Sequence, residues 1–564
     1  MATFAEPCRR ARRSRRGASP ALIPLAMLAM LLAVASSHAG VRDGWPAALT
    51  HRLQPLATVP VYAAPLVDVA ARRAEDEGRG RLGLPLRFAI PDSVGLSPAD
   101  AGVWEDLDAN WRVWRLRVAS AGALSLNLGF RHFWLPEDAR LCVYPAADPA
   151  AALIFDAGDN EAHGQLWTPV VPGDELVIEL TVPRDGDGDW RLQLAVVNVG
   201  YRDFLADAPA KSGWCNIDVV CPEGDAWRDE IQTVARISTG SLLCTGFMVN
   251  NTARDARPLL MTADHCGITA SNAAALVVYW NYQSPTCGQQ GGGSLAQFQT
   301  GSTFLAGWNA ALGTDFTLVE LDDQPDTTWH VAYAGWNRGT ADPSSAAGIH
   351  HPSGDEKSIS FEDDPLLSTS YMDVFPLPVP YLRVEDWDAG TTEGGSSGSP
   401  LFDQNHYVVG QLYGGWASCD NDSSDYYGRF SVSWDGGGTP STRLRDWLDP
   451  RGTRPVTLPL YAPYREPPPA PDSTNVLLPN VPNPFRTQTM ISFFLERPGR
   501  ARLSVHDLGG RLVRVLFDEE RDAGDQAVPW DGLDGAGRRV PSGAYVLRLD
   551  GPGATVERKV MVAR

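Results

Sequence analysis

The distribution of cysteine limits what this chain can fold into. Cys8 lies near the N-terminus and Cys142 stands alone, whereas the other six cysteines all fall between residues 215 and 419. Those six are Cys215, Cys221, Cys244, Cys266, Cys287 and Cys419. In an exported chain, an even set confined to one segment indicates a disulfide framework, but six cysteines allow 15 pairings and spacing alone does not choose among them. No paired CxxC spacing occurs, so no metal site is predicted.

The N-terminus has the pattern of a secretory signal peptide. Paired arginines between residues 9 and 16 precede an apolar run from Ala21 to Val34, and small residues follow up to Ala39. This order predicts a signal peptide over residues 1–39, cut after Ala39. The apolar run has about 14 residues, whereas a membrane-spanning helix needs about 20. We therefore expect a secreted protein.

Length and charge set further bounds. The 564 residues are enough for about three domains, each with its own core. The formal net charge of −20, with no basic patch beyond the N-terminus, argues against a nucleic-acid partner. We expect no cofactor.

Short strand-like stretches and turn residues divide the rest of the chain into three all-β modules. Strands over about 85–205 predict a β-sandwich within a region spanning 40–211, and 212–450 reads as an antiparallel β-barrel. A proline-rich linker over 451–473 precedes a small β-sandwich over 474–564. An Asp/Gly cluster at 185–189 could bind calcium, but its spacing is not that of an EF-hand, and a solvated turn is favoured.

Three motifs of the cysteine-bearing segment carry candidate chemistry. They are Thr262–Gly267 with His265, Gly313–Leu321 with Asp315, and the glycine-rich stretch Gly394–Pro400 with Ser397. A serine hydroxyl needs a histidine to take its proton and a carboxylate to orient that histidine. Singly, the motifs could be a strand-end histidine, a strand-opening aspartate and a flexible loop. Together, in the order His, Asp, Ser, they favour a serine peptidase.

Residues 212–450 resemble the bacterial lysyl endopeptidases, a secreted branch of the chymotrypsin-like serine peptidases. The motifs that carry the resemblance are Cys215–Asp225, Thr262–Gly267, Val277–Gln283, Asp315–Leu318, Ile349–Pro352, Gly395–Pro400, Gly410–Leu412 and Asp446–Pro450. The resemblance implies a double β-barrel that cuts after lysine, with His265 as general base, Asp315 as its orienting partner and Ser397 as nucleophile. It also implies an oxyanion hole from the N–H groups of Gly395 and Ser397, and the disulfides Cys215–Cys419, Cys221–Cys287 and Cys244–Cys266.

The resemblance places lysine recognition on a late loop. Thr391 stands where trypsin-like relatives have an aspartate, six residues before the serine, and the acidic residue of lysyl endopeptidases matches Asp425. Glu393 could add a second carboxylate, and Asp425 could instead be one more surface acid of the 420–425 cluster. The substrate site would also include Tyr413, Gly414 and Gly415. Tyr413 replaces a histidine that the family carries, which leaves the triad untouched.

Lysine is rare in this chain, and one of its lysines lies at a boundary between two modules. Only Lys211, Lys357 and Lys559 occur, so 48 − 3 = 45 basic residues are arginine. A GC-rich genome would also favour arginine. Lys211 nevertheless lies between the first sandwich and the cysteine-bearing segment, and cleavage after it by the enzyme itself would make Ser212 a new N-terminus. This is our hypothesis for activation.

The flanking modules suggest partners. The first resembles the pro-regions of such peptidases, which implies an intramolecular folding aid and inhibitor. The last resembles C-terminal sorting or hook-capping-like Ig-type domains of secreted Gram-negative proteins, through Pro482–Phe485 and Pro541–Tyr545. It implies an extracellular or cell-surface location and contact with outer-membrane secretion machinery. Two rival interpretations remain, a peptidase of broader Lys/Arg or other specificity and an inactive barrel used as a binding module.

Overall fold

The computed structural model of the protein describes residues 45–81, 84–184, 190–204, 212–370, 380–465, 475–478, 480, 483–495, 497–552 and 554–563. Strands dominate, and the α-helices of this part of the chain are Ala47–Thr50 (α1), Val69–Arg81 (α2), Arg228–Ile231 (α3), Phe430–Asp435 (α4) and Arg445–Leu448 (α5). The all-β class expected from the sequence is confirmed. The expected signal peptide, the Asp/Gly cluster at 185–189, Lys211 and residues 466–473 of the proline-rich linker lie outside the described residues.

The first module is a sandwich of two sheets. Its strands are β1 (Val61–Ala63), β2 (Leu86–Arg87), β3 (Ala89–Leu96), β4 (Val103–Asp106), β5 (Trp111–Ala119), β6 (Ser125–Trp134), β7 (Arg140–Pro145), β8 (Leu153–Phe155), β9 (Leu166–Trp167), β10 (Val171–Pro172), β11 (Glu175–Pro183) and β12 (Arg191–Gly200). One sheet has the order β1-β5-β11-β7-β8 and the other β10-β6-β12-β3. Side chains such as Leu116, Leu128, Ile178 and Val197 form one buried core, as alternation along half-buried strands predicts.

The cysteine-bearing module contains two further sheets. Its strands are β13 (Ile217–Asp218), β14 (Val234–Thr239), β15 (Leu242–Met248), β16 (Leu259–Ala263), β17 (Leu276–Tyr279), β18 (Phe298–Thr300), β19 (Ser302–Trp308), β20 (Phe316–Leu321), β21 (Trp336–Asn337), β22 (Ala346–His350), β23 (Ser358–Glu362), β24 (Leu367–Thr369), β25 (Tyr381–Val384), β26 (Pro400–Asp403), β27 (Val408–Gly415), β28 (Asp425–Arg429) and β29 (Thr457–Leu458).

Both sheets of this module curl into barrels. The first has the order β18-β17-β14-β15-β16-β20-β19, and its two outer strands are joined by the single residue Gly301. Strands joined so closely must lie near each other, so the sheet closes on itself. In the second, β13-β23-β22-β26-β27-β28-β25-β24, the short connection between β23 and β24 likewise links opposite sides. The expected chymotrypsin-like double β-barrel is confirmed.

Three disulfides stabilise the two barrels. Cys215 pairs with Cys419, Cys221 with Cys287, and Cys244 with Cys266. These are the pairs that the family resemblance implies, and in the chain-entropy model each restricts the unfolded chain. Cys142 is a buried free thiol in the first module.

The first module is packed tightly against the first barrel. β2 adds to that barrel by pairing with Leu242–Leu243 of β15. Beside it, the guanidinium of Arg236 is fully buried, donates to the Phe204 carbonyl at 3.1 and 3.2 Å, and lies 3.7 Å from the centre of the Phe204 ring. Strand addition and a shared apolar cluster therefore join the two modules.

The C-terminal module is a separate small sandwich. Its strands are β30 (Val476–Leu477), β31 (Thr489–Leu495), β32 (Gly499–Asp507), β33 (Leu512–Arg521), β34 (Gly524–Trp530), β35 (Gly543–Gly551) and β36 (Ala554–Val562). They form a three-stranded and a four-stranded sheet around Ile491, Leu503, Trp530 and Leu547. This agrees with the Ig-like sandwich expected from the sequence.

The expected linker begins later than the sequence suggested. Residue 451 was its predicted start, yet Thr457–Leu458 pair with β21, and Tyr461 bridges Tyr333. The chain up to this bridge is part of the second barrel's surface. The apolar side chain of Leu458, only 7% exposed, explains why it packs there. Within the described ranges, no helix is both long and apolar enough to cross a bilayer.

Candidate active site

His265 and Asp315 meet at the edge of the first barrel. His265 follows β16 in a single 3₁₀ turn, and Asp315 immediately precedes β20, the neighbouring antiparallel strand. The Asp315 carboxylate accepts from His265 twice, with its backbone N–H at 3.0 Å and with Nδ1 of the imidazole at 2.6 Å. This pair of bonds fixes the ring and makes Nδ1 the protonated nitrogen of the neutral imidazole, because a carboxylate only accepts.

The position of Asp315 is fixed by contact with the second barrel. Its φ is +62°, in the left-handed region that aspartate tolerates better than most residues. The preceding carbonyl, of Thr314, accepts from Gln411 Nε2 at 2.6 Å and lies 1.9 Å from where a Cβ at Gly428 would stand. Only glycine allows this approach. The carboxylate of one barrel is thus held by a strand of the other.

Burial sets the protonation chemistry of the carboxylates here. Asp315 is 1% exposed, and desolvation raises its pKa, opposed by the bonds from His265. Asp264, next to the histidine in sequence, has its pKa raised to about 6, first by desolvation and then by the charge of Asp315. The Asp264 carboxyl therefore titrates beside the His265–Asp315 pair.

Ser397 is presented by a tight loop before β26. Gly395 and Gly398 have φ of +104° and +84°, and a Cβ at either would overlap backbone atoms packed against the loop. The carbonyl of Ser397 accepts from the Thr245 N–H at 2.9 Å, and the Gly395 carbonyl accepts from Thr245 Oγ1 at 2.9 Å. Thr245 lies on β15, so the serine of the second barrel is attached to the first.

The structure brings Ser397 to the side of the barrel that carries the histidine. Cys266 Sγ, adjacent to His265, lies 3.8 Å from the Ser397 carbonyl oxygen. Nε2 of His265 has no hydrogen-bond partner among the described residues, so its bond to the serine hydroxyl is not formed in this state. Such bonds are often long before substrate binds. The N–H groups of Gly395 and Ser397 likewise have no acceptor in the described part of the chain.

Asp425 lies at the bottom of a buried polar site on the second barrel. Its Oδ2 accepts from Thr392 Oγ1 at 2.6 Å and from Trp387 Nε1 at 2.8 Å, and the Ala417 N–H adds a backbone bond. The side chain is 1% exposed, and desolvation raises its pKa while these neutral donors lower it. A Cβ at Gly415 would lie 2.2 Å from Oδ1, so the strand beside the carboxylate requires glycine. Asp425 is therefore not an exposed member of the acidic cluster.

Glu393 lies elsewhere. Oε1 accepts from the Gly213 N–H at 2.6 Å and from Asn216 Nδ2 at 2.8 Å, and Oε2 accepts from Ser353 Oγ at 2.5 Å. These contacts tie the nucleophile loop to the start of the module. A place for Glu393 in the substrate pocket stays a prediction, since its contacts here are structural.

Tyr413 projects from a bulge toward the histidine. β27 and β28 shift register between Leu412 and Gly414, so Tyr413 is the extra residue. Its ring meets the imidazole of His265 edge-on, 5.4 Å between centres. Gly414 and the exposed Gly415 follow on the same strand. The three residues expected at a substrate site thus form one edge beside the His265–Asp315 pair.

Sequence reasoning missed the residues that hold these groups in place. Trp387 and Thr392 bind Asp425, and Thr314, Gln411 and Gly428 fix Asp315. Trp387 and Thr392 give no sequence signal by themselves. A glycine at 428, in the middle of an otherwise bulky strand, was a signal of close backbone approach.

Comparisons with known proteins agree with this geometry. Residues 210–428 match the model of the lysyl endopeptidase C-terminal domain, 66–203 that of the lysyl endopeptidase N-terminal domain, and 487–552 that of the FlgD Ig-like domain. A lysyl endopeptidase of Pseudomonas aeruginosa is 30% identical over 387 residues, which cover 62% of this chain and 79% of the relative.

Two solved structures are less similar to this protein in sequence. A Glu endopeptidase in complex with MPD is 15% identical, covering 39% of this chain and 93% of its own, with a TM-score of 0.26. An inactive mutant form of Rv3671c from M. tuberculosis is 17% identical, covering 38% and 91%, with a TM-score of 0.23. Scores this low carry no argument, and the assignment depends on the domain models and the Pseudomonas relative. By these matches the chain belongs to the lysyl endopeptidase family and is a serine endopeptidase.

Proposed function

We propose that this serine endopeptidase cleaves peptide bonds after lysine. The observation that carries the proposal is Asp425, a fully buried carboxylate bound by three neutral donors and facing no cation among the described residues. A buried charge without a counter-charge is costly, and a ligand ammonium would compensate it. Lys357 is one of the three lysines of the chain. Its ammonium is buried and donates to the Ile231 carbonyl.

His265, Asp315 and Ser397 are proposed as the catalytic residues. Nε2 of His265 takes the proton of the Ser397 hydroxyl as the oxygen attacks the carbonyl carbon of the lysine residue, whose bond to the next residue's nitrogen then breaks. Asp315 holds the ring through Nδ1 and stabilises the imidazolium. The imidazolium then gives its proton to the leaving amine, and a water repeats the sequence to release the acyl group.

The oxyanion of the tetrahedral intermediate is proposed to bind the N–H groups of Gly395 and Ser397. Free N–H donors aimed at one point stabilise charge that develops only in the transition state, and removing one such donor typically lowers kcat by about 10²- to 10³-fold. Support comes from the lack of acceptors for both N–H groups in the described residues. Tyr413, Gly414 and Gly415 would contact the bound peptide.

Digestion of a peptide library by the wild-type enzyme tests the specificity. Cleavage confined to bonds after lysine is expected, with labelling of Ser397 by a fluorophosphonate probe and no labelling of Ser397→Ala. Equal cleavage after arginine would favour the broader rival specificity. A wild-type protein that neither cleaves nor reacts with the probe would favour the binding-module interpretation.

We further propose that the protein is secreted, that the first module acts as folding aid and inhibitor, and that the enzyme cuts after Lys211. The pairing of β2 with β15, the strand whose Thr245 holds the Ser397 carbonyl, supports a regulatory contact close to the site. N-terminal sequencing of the secreted wild type and of Ser397→Ala distinguishes self-cleavage from cleavage by another protease. Unchanged processing in the variant would reject self-cleavage. The Ig-like module is proposed to engage secretion machinery.

A further inference from the structure

His350 has no role in the chemistry described above, yet it lies directly behind the nucleophile loop. It ends β22, is fully buried, and its ring touches two serine hydroxyls. Nδ1 lies 2.9 Å from Ser396 Oγ, and Nε2 lies 3.0 Å from Ser360 Oγ. Ser396 is the residue between Gly395 and Ser397, and Ser360 lies on the adjacent strand β23.

The hydrogen bonds at the two ends of this series determine which atom donates and which accepts in each bond between them. Ser360 Oγ donates its single hydrogen to the Thr391 carbonyl at 2.9 Å, so toward His350 it can only accept. Nε2 of His350 must therefore carry the hydrogen, which leaves Nδ1 as an acceptor. Ser396 Oγ then donates to Nδ1, and it accepts from the Glu393 N–H at 3.1 Å.

The contacts connect the second barrel with both ends of the nucleophile loop. They begin at the Thr391 carbonyl, cross two strands through Ser360 and His350, and return at Ser396 and the Glu393 N–H. The Ser396 N–H also donates to the Glu393 carbonyl at 2.9 Å. The turn that orients the peptide groups on either side of Ser396 is thus fixed by a hydroxyl whose one side-chain partner, in the part of the chain that the structure describes, is His350.

Burial keeps the ring in the required form. No carboxylate of the described residues bonds to His350, and desolvation lowers its pKa to about 3. Its neighbour His351 points away, with Nδ1 on the Asp355 carbonyl at 2.8 Å. The imidazole of His350 therefore stays neutral at the pH at which a histidine base works, with one nitrogen donating and one accepting.

We propose that His350 is a positioning residue for the oxyanion hole, acting through Ser396 on the N–H groups of Gly395 and Ser397. The proposal rests on the proposed function. It assigns a role to the first histidine of the Ile349–Pro352 motif. It predicts that breaking this series of hydrogen bonds weakens the stabilisation of the transition state and leaves the binding of lysine unchanged. Within the described residues, Asp425 and the Thr392 and Trp387 side chains that donate to it form no hydrogen bond with His350, Ser360 or Ser396. Thr392 directly follows Thr391, where the series begins, so the test includes the binding of a lysine side-chain mimic.

Two serine variants on one strand give a matched test. Ser360→Ala removes the acceptor of His350 Nε2 together with the donor to the Thr391 carbonyl, and it leaves the side chains of the nucleophile loop intact. Ser358→Ala removes a buried hydroxyl that, within the described residues, donates to the Glu356 carbonyl alone. Ser360→Ala should lower kcat about tenfold and Ser396→Ala about 10- to 100-fold, since each leaves a buried polar group unpaired. Ser358→Ala should retain wild-type kcat. The double variant Ser360→Ala/Ser396→Ala should be no worse than Ser396→Ala.

Ligand binding separates positioning from general damage. A peptide aldehyde ending in lysine forms the tetrahedral adduct, and its affinity should fall by the same factor as kcat/KM. Butylammonium, a mimic of the lysine side chain, should bind all variants equally. A loss confined to KM and butylammonium affinity, or Ser360→Ala and Ser396→Ala behaving like Ser358→Ala, would overturn the proposal. If Ser396→Ala does not fold, Ser360→Ala decides.

A spectroscopic measurement is independent of activity. Long-range ¹H–¹⁵N spectra of histidine-labelled Ser397→Ala, with the signal assigned by loss in His350→Gln, should show the neutral Nε2–H tautomer of His350 at pH 7. The Nδ1–H tautomer or a charged ring would reject the proton order even for an enzyme whose specificity proves different. Absence of cleavage and probe labelling in wild type, with the expected tautomer present, would reject the proposed function alone.

Discussion

The two barrels contribute opposite kinds of group to one site. The first provides His265 and Asp315, in contact at 2.6 Å, a pair whose imidazole takes up and releases a proton in the mechanism that we propose. The second provides His350 and Asp425, both fully buried and surrounded by neutral partners. The same residue types therefore either exchange protons or hold one protonation state, depending on their neighbours.

The difference has a simple electrostatic cause. A carboxylate behind a histidine stabilises its charged form, whereas two hydroxyls in an apolar interior do not repay the loss of water. His265 is also open to solvent, with 12% of its side chain exposed, while His350 has none. A peptidase site needs both kinds of group, one to move protons and one to keep the surrounding peptide groups still.

Removing the carboxylate behind His265 should have the largest effect. In Asp315→Asn the amide can present its N–H to Nδ1 and so favour the wrong tautomer, with Nε2 protonated and unable to act as a base. We expect kcat to fall about 10⁴-fold at neutral pH, which is the size of loss that replacing the triad aspartate by asparagine causes in Ser-His-Asp enzymes. Steady-state hydrolysis of a lysyl ester measures it.

Asp264 offers a control for that experiment. Its carboxyl lies beside the pair and is partly buried, but His265 Nδ1 bonds to Asp315. Asp264→Asn should therefore change kcat by less than about tenfold, the size of a charge effect without a lost catalytic bond. Equal losses in the two variants would mean that local charge, and not the bond to Nδ1, is what matters at this site.

Removing the charge of Asp425 on the second barrel should have the second-largest effect. Asp425→Asn keeps the shape of the side chain but leaves a bound lysine ammonium without a counter-charge, and kcat/KM for lysyl substrates should fall about 100- to 1,000-fold. Asp422→Asn, an exposed acid of the same cluster, is the matched control and should stay near wild type. A similar loss in both would restore the interpretation of Asp425 as one of several surface acids.

The protonation state of the same carboxylate gives a pH signature. Because desolvation raises the pKa of Asp425, the group loses its charge at a higher pH than an exposed aspartate does. KM for lysyl substrates should therefore rise as pH falls toward that raised pKa, and KM in Asp425→Asn should lack this rise. This measurement distinguishes loss of charge from loss of shape.

The neutral His350 of the second barrel should make the free energy of unfolding depend on pH. His350 has a folded-state pKa of about 3 and an unfolded one of about 6.5, so the unfolded chain binds the proton more tightly. The stability that this difference supplies is fully present above pH 6.5 and is lost as the pH falls from there toward 3. Relative to His350→Gln, wild type should lose about 2 kcal/mol of unfolding free energy between pH 7 and pH 5.

Urea unfolding in a Ser397→Ala background measures this difference without autolysis. Groups common to both proteins, including His351 and the carboxyls with raised pKa, cancel in the comparison. A wild type and a His350→Gln variant with parallel pH dependence would mean that His350 is protonated as easily in the fold as in the unfolded chain.

The sequence pointed to the proposed reacting groups more directly than to the residues that hold them in place. His265, Asp315 and Ser397 were identified from motifs, because nucleophilic chemistry needs these residue types in recognisable surroundings. The contacts that fix them are tertiary. Gly428 matters because Thr314 of the other barrel approaches it, and the bonds that Gly213 and Ser353 donate to Glu393 join residues far apart in sequence. Periodicity records which face of a strand is buried and carries no information about what covers it.

The fold was predictable at the level of modules and less so at their edges. Short strand-like stretches separated by turn residues were enough to predict the modules, although a strand such as β17 is buried at every residue and shows no alternation of exposure. Residues 451–461 were included in the linker that the proline-rich run after them defines. Their place on the barrel is set by one buried leucine and by pairing with distant strands, which local composition does not reveal.

Tyr413, where the two barrels touch at the site, should give the smallest effect. Its ring meets His265 edge-on, an arrangement worth about 0.5–1.5 kcal/mol, so Tyr413→Ala should lower kcat about two- to tenfold. Tyr413→Phe keeps the ring and should match wild type, because the contact with the imidazole is made by the ring and not the hydroxyl. A large loss in Tyr413→Phe would show that the hydroxyl acts on the reaction. In that case the second barrel would supply a proton-bearing group besides the Ser397 hydroxyl, and its role around the nucleophile would not be positioning alone.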